Sequence, residues 1–181
     1  MIHSGIKYRL NDKLKLNLNE CYQCGKCTAG CPLSEDMDIP PNQIIRMMQY
    51  GNPQNDDKII KSYSIWLCLS CQTCFARCPQ EIDLPAVMDY LREKSIKEKK
   101  VNPRAKKILA FHKNFLKSVK QNGRLHEAGF IIGYKLDTMA FFQDVMLVPS
   151  LISKGKLHFL PRKLKSQNQI KKIFKSLNHP K

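Results

Sequence analysis

Eight cysteines fall in two runs of one pattern. The first run is Cys21, Cys24, Cys27 and Cys31; the second is Cys68, Cys71, Cys74 and Cys78. Pro32 and Pro79 follow directly, so both runs read C-x2-C-x2-C-x3-C-P, and no cysteine lies outside them. Three thiolates at x2 spacing can curl round one face of a compact iron–sulfur cubane. The fourth, set off by x3 and a proline, projects away from that face, and in chains with two such runs it ligates the other run's cluster. The expected ligand sets are Cys21, Cys24, Cys27 and Cys78 for one [4Fe-4S] cluster, and Cys68, Cys71, Cys74 and Cys31 for the other. One helical turn from Cys74 to Cys78 separates their Cα atoms by roughly 6 Å along the axis. Two clusters crossed in this way are near neighbours, and neighbouring redox centres pass electrons.

Other uses of the cysteines fit less well. A zinc site is served by two C-x2-C pairs, often with histidine, and has no need of the third x2 step. A disulfide framework requires an oxidising compartment. The start, Met1 to Arg9, lacks the apolar stretch of a secretory signal. No run of apolar residues is long enough to span a bilayer, so the expectation is a protein of the reducing cytoplasm.

The elements that position the runs can be read in order. In residues 5–19, Ile6, Tyr8 and Leu10 alternate, as do Leu14, Leu16 and Leu18, with Asn11-Asp12 between them. This predicts a short N-terminal β-hairpin, or an extended arm over the clusters. Gly25 and Gly30 in the first run suggest special backbone conformations; the second run has no glycine. Pro40-Pro41-Asn42 opens a helix through Ile44, Ile45, Met47 and Met48 that stops at Gly51. A second helical pattern passes through Ile59, Ile60, Tyr63 and Trp66, with Trp66 the best candidate to wall the clusters from water. Asp83 and Pro85 open a helix that buries Val87, Tyr90 and Leu91. Asn102-Pro103 opens another, with Ile108, Phe111, Phe115 and Val119 on one side and Gly123 as its stop. His112 beside that stripe reads as a surface or interface histidine, not a ligand. Residues 125–148 continue in helical patterns.

The charge is unevenly spread. The chain has 181 residues and a formal net charge of +16. Residues 1–100 hold 14 Lys+Arg and 12 Asp+Glu; residues 101–181 hold 17 Lys+Arg and three acids, Glu127, Asp137 and Asp144. From 150 to 181 there are nine basic residues and no acid. Alone such a tail would be loose. No nucleic-acid-reading module is recognisable, so the basic half reads as a docking surface for a protein. The expected organisation is an N-terminal arm (1–20), a dicluster ferredoxin domain (21–101), a helical extension (102–149) and a basic, partner-docking tail (150–181).

Two such runs with a helical insert between them resemble the α-helical ferredoxin fold, which implies a mainly α chain. Ile65-Trp-Leu-Cys68, the helix start at Asp83-Leu-Pro85 and the Asn114–Glu127 region make the chain similar to the small iron–sulfur (C) subunit of heterodisulfide reductase. The resemblance implies an electron-transfer subunit of a complex that reduces the mixed disulfide of coenzyme M and coenzyme B. Such a subunit would relay electrons from the flavin-bearing A subunit to the catalytic B subunit. A hydrogenase or formate dehydrogenase would be attached, and the complex would bifurcate or confurcate electrons. It also implies that all eight cysteines are cluster ligands. The family's catalytic domain is rich in adjacent cysteines, and this chain has none. It also lacks a glycine-rich dinucleotide loop. The substrate chemistry is therefore expected on another polypeptide. The alternative is an iron–sulfur subunit of another oxidoreductase, of the glycerol-3-phosphate or lactate dehydrogenase type.

Overall fold

In a computed structural model, residues 5–139, 148–155, 164 and 166–177 are described. Among them the regular secondary structure is entirely helical, as the fold resemblance implies. None of these helices is long and apolar enough to cross a membrane. The chain divides into two compact units, Met1–Ala105 and Lys106–Lys181.

The first unit begins with α1 (Ile6–Leu14), where the alternation predicts a hairpin. The same residues also obey a helical period: Ile6, Leu10 and Leu14 recur every four positions. Ile6 and Leu10 are buried, whereas Tyr8 is 40% exposed. Asn11-Asp12 lies inside the helix, and the chain turns only at Lys15, in the left-handed conformation. The cap comes from far away in sequence: Asp56 Oδ2 accepts from the Ile6 N–H at 2.9 Å. A local reading of residues 5–19 has no access to that bond, which satisfies one of the helix's orphan donors.

α2 (Lys26–Ala29) lies within the first run, and α3 (Pro41–Tyr50) and α4 (Pro53–Lys61) follow it. Gly51 ends α3 at φ 62°, the αL stop that the sequence announces. The pattern through Ile59 and Trp66 is two helices. The backbone becomes extended at Ser62, and α5 (Ser64–Leu67) starts afresh. The break is enforced by Asp38, whose carboxylate accepts from the Tyr63 N–H (2.8 Å) and the Ser64 N–H (2.9 Å). Burial pushes the Asp38 carboxyl up, but hydrogen bonds from the Ser64 side chain and the neighbouring amides outweigh it and hold it below its ordinary range.

The second run leads through α6 (Thr73–Ala76) to α7 (Leu84–Lys97). Asp83 caps α7 as expected, accepting from the Ala86 N–H at 2.9 Å. The core of the unit is formed by Leu10, Leu18, Ile44, Met48, Ile59, Ile60, Ile65, Val87, Met88 and Leu91, each under 2% exposed. Burial of aliphatic groups of this size contributes about 2 kcal/mol each, which makes this core the platform for the cysteine runs.

The second unit contains α8 (Lys106–Asn122), α9 (Glu127–Thr138), α10 (Val148–Ser153) and α11 (Gln167–Leu177). The predicted apolar stripe of α8 is not its buried face. Ala110, Asn114 and Ser118 are buried, while Phe111 and Phe115 are 46% and 36% exposed. The buried stripe is small and polar because α9 comes close. A methyl on Gly133 would sit 2.4 Å from Asn114 Oδ1, so only glycine admits the contact. Asn114 Nδ2 donates to the Ala110 carbonyl (2.8 Å) and to Asp137 (3.0 Å). Phe111 stacks edge-on against Phe130 at 5.0 Å, and His112 is exposed, as read from sequence. Gly123 ends α8 at φ 82°. Where a loose tail is expected, α11 forms a helix against α8. Lys120 lies over the Phe174 ring, and the Leu164 N–H donates to the Asn122 carbonyl at 3.2 Å.

Candidate metal centre

The two runs repeat in backbone as well as in sequence. Gln23 and Gly25 have φ of 61° and 77°; at the equivalent places, Ser70 and Gln72 have φ of 51° and 65°. Left-handed residues at these two positions curl each run so that successive N–H groups face one concavity. Each run then enters a four-residue helix, α2 or α6, whose N-cap is Gly25 or Gln72. The second run thus adopts the same bend without glycine, and Gln72 carries the steric penalty of a left-handed non-glycine residue.

Gly30 is a different matter. Its φ of −96° and ψ of −1° are open to any residue. What a side chain there would meet is the Arg77 arm, since a methyl would sit 2.7 Å from Arg77 Cδ and 2.9 Å from Nη1 and would displace it. The sequence expectation of a special backbone holds for Gly25 and fails for Gly30.

Two side chains missed by the sequence reading hold the runs at their first cysteines. Gln49, on α3, donates through Nε2 to the carbonyls of Cys21 (2.8 Å) and Leu18 (2.9 Å). Arg92, on α7, donates to the carbonyls of Cys68 and Ile65 and pairs with Asp89 at 2.8 Å. Each run's start is thus clamped from a helix that follows it. Thr28 and Asn42 add a second tie for the first run: the Asn42 N–H donates to Thr28 Oγ1 at 3.0 Å, and the Thr28 hydroxyl donates to Asn42 Oδ1 at 2.7 Å. Gln and Arg at helical positions carry no local signal of such bonds.

The structure places Cys31 with Cys68, Cys71 and Cys74 around one small cavity. Its other walls are almost wholly apolar and include Met37, Pro41, Leu84 and Met88. Trp66 is buried but is not among its lining residues. Cys21, Cys24 and Cys78 all act on the phenol of Tyr22. Desolvation, then the charges of Cys24, Cys78 and Cys21, push that phenol up. Cys24 and Cys71 are exposed, and the other six cysteines are half-buried.

Burial, with a smaller contribution from the Cys68 charge, pushes the Cys74 thiol up to about 11. Burial likewise raises Cys27. Hydrogen bonds with the Thr73 side chain and amide hold Cys71 below the usual thiol range, with Cys71 Sγ 3.4 Å from Thr73 Oγ1. Burial thus favours the protonated form of Cys27 and Cys74, and ligation by a metal would release those protons. Among the described residues no three His, Cys, Asp or Glu side chains converge on a single-ion site. That is no bar to a cubane, which places each thiolate on its own iron. The donor set, all thiolate in a largely apolar cradle, fits iron–sulfur chemistry.

Comparison with known proteins supports the same reading. Residues 17–82 match the family described as 4Fe-4S dicluster domain. The chain is 36% identical over 83 residues to the C subunit of the ferredoxin:CoB-CoM heterodisulfide reductase of Methanosarcina acetivorans, covering 46% of this chain and 32% of that one. It is 32% identical over 81 residues to the C2 subunit of the H2/formate:CoB-CoM heterodisulfide,ferredoxin reductase of Methanococcus maripaludis, covering 45% and 42%. A longer match, 26% identical over 153 residues, covers 83% of this chain and 80% of the second iron–sulfur C subunit of the CoB–CoM heterodisulfide reductase of Methanocaldococcus jannaschii. The first two matches thus span a third to two fifths of those relatives. The chain carries a 4Fe-4S dicluster domain with two [4Fe-4S] clusters as its cofactors, and its relatives are the iron–sulfur C subunits of heterodisulfide reductases.

Proposed function

We propose that this chain is the electron-relay subunit of a cytoplasmic CoB–CoM heterodisulfide reductase complex. It would take electrons from a flavin-bearing A subunit and deliver them to a catalytic B subunit, with a hydrogenase or formate dehydrogenase supplying the complex. Cys21, Cys24, Cys27 and Cys78 hold one cluster; Cys68, Cys71, Cys74 and Cys31 hold the other. The observation that carries this reading is the meeting of Cys31, from the first run, with the first three cysteines of the second run around one apolar cavity. A ligand set that draws on both runs ties the two clusters together.

When bound, the clusters supply one-electron redox chemistry. The chain's own part is to hold and insulate them. Gln49 and Arg92 fix the first carbonyl of each run. Met37, Leu84 and Met88 wall the cavity that Cys31 shares with the second run, and solvent exposure is one determinant of cluster potential. No dinucleotide loop or adjacent cysteine pair is present for substrate chemistry.

The test is anaerobic purification of the native assembly. The expected companions are a flavin, iron–sulfur chain and a chain with adjacent cysteines that reduces the heterodisulfide. Recovery with a flavin dehydrogenase alone, active on glycerol 3-phosphate or lactate, would overturn the assignment in favour of the other oxidoreductase class.

A further inference from the structure

We propose that Arg77 tunes both clusters electrostatically: its guanidinium, laid across Gly30 between the two cysteine runs, raises their reduction potentials. The proposal rests on the crossed dicluster reading and adds to it a residue that is not a ligand.

Gly30 and Arg77 hold the same place in the two runs, immediately before Cys31 and Cys78. These are the two cysteines assigned to cross, so a charge here stands next to a ligand of each cluster. At this place a large charged side chain in one run faces an absent one in the other. The Arg77 arm occupies the space where a side chain of residue 30 would stand, with Cδ, Nη1 and Nε all within 3.0 Å of the point that a Cβ on Gly30 would take. Among the described residues the guanidinium has no hydrogen bond or ion pair, unlike Arg92, which has both. Its full charge therefore faces the sulfur-bearing segments and solvent.

Four thiolates leave each ligated cubane with net negative charge, and reduction adds one more. A nearby cation favours the reduced form, with a strength set by distance and screening. Because Arg77 is exposed, the expected effect is modest. Removing its charge lowers the reduced-to-oxidised ratio at fixed ambient potential about tenfold, equivalent to about 59 mV for one electron.

The experiment uses the full chain, reconstituted anaerobically, with iron measured on every variant and both clusters titrated by EPR. Arg77→Met, which keeps the stem, is expected to lower both potentials by this amount, and Arg77→Lys to retain most of the wild-type value. The wild-type to Arg77→Met difference shrinks as salt rises. Gly30→Ala leaves every charge in place but displaces the arm, so it lowers the potentials in the wild-type background and adds nothing in the Arg77→Met background. Unchanged potentials in Arg77→Met, an equal shift in Arg77→Lys, or an equal effect of Gly30→Ala in both backgrounds would each overturn the proposal. If Arg77→Met loses iron, Gly30→Ala decides alone: lowered potentials support the tuning role and unchanged ones refute it. Wild-type protein short of about eight irons would instead count against the dicluster reading beneath it.

Discussion

The carbonyl of Cys21 accepts from a neutral amide, Gln49, and the carbonyl of Cys68 accepts from a guanidinium, Arg92. The two runs share their cysteine spacing and their left-handed turns, yet the first is relaxed at Gly25 and held by neutral groups, while the second is strained at Gln72 and held by charge. Where the first run has Gly25 and Gly30, the second has Gln72 and Arg77. A repeated motif therefore fixes where the irons go and leaves the surroundings to set two different electrostatic environments. For the ordered electron relay proposed above, such inequality would be useful.

The clamps give the largest effects on that comparison. Arg92→Met removes charge-assisted bonds to two carbonyls and should destabilise the holoprotein by about 3 kcal/mol. Gln49→Met removes two neutral bonds and should cost about 1–2 kcal/mol. Urea-driven bleaching of the cluster absorbance, under anaerobic conditions, reads both; equal losses would mean that the charge on the second clamp is irrelevant.

The turns give smaller effects of opposite sign. Gln72→Gly relieves a left-handed residue and should stabilise by about 1 kcal/mol, whereas Gly25→Ala should destabilise by about 1 kcal/mol. Nothing within 4 Å would meet the added methyl at Gly25, so its cost is purely conformational. Stabilisation by neither glycine, at 25 or at 72, would show that the turns are set by the clusters rather than by the chain.

These contrasts also mark how far the sequence can be read. The cysteine runs, the Gly51 stop and the Asp83 cap are local signals, and the stop and the cap lie where the sequence puts them. The N-terminal helix is hidden because Ile6, Leu10 and Leu14 fit two periods, and the deciding cap, Asp56, lies 50 residues away. The break at Ser62 depends on Asp38 in the same manner. On α8 the apolar stripe is visible in sequence, but its exposure is not: Gly133 lets α9 approach a polar face instead. Gln49, Arg92 and Arg77 carry no motif, and their roles appear only when distant backbone is brought beside them.

The crossing of ligands between the runs is the central claim, and Cys78→Ser tests it most directly. In anaerobically reconstituted protein, EPR should show loss of the cluster held by Cys21, Cys24 and Cys27, with the cluster of Cys68, Cys71 and Cys74 intact and iron falling from about eight to about four per chain. Damage confined to the cluster of the second run, to which Cys78 belongs in sequence, would contradict it.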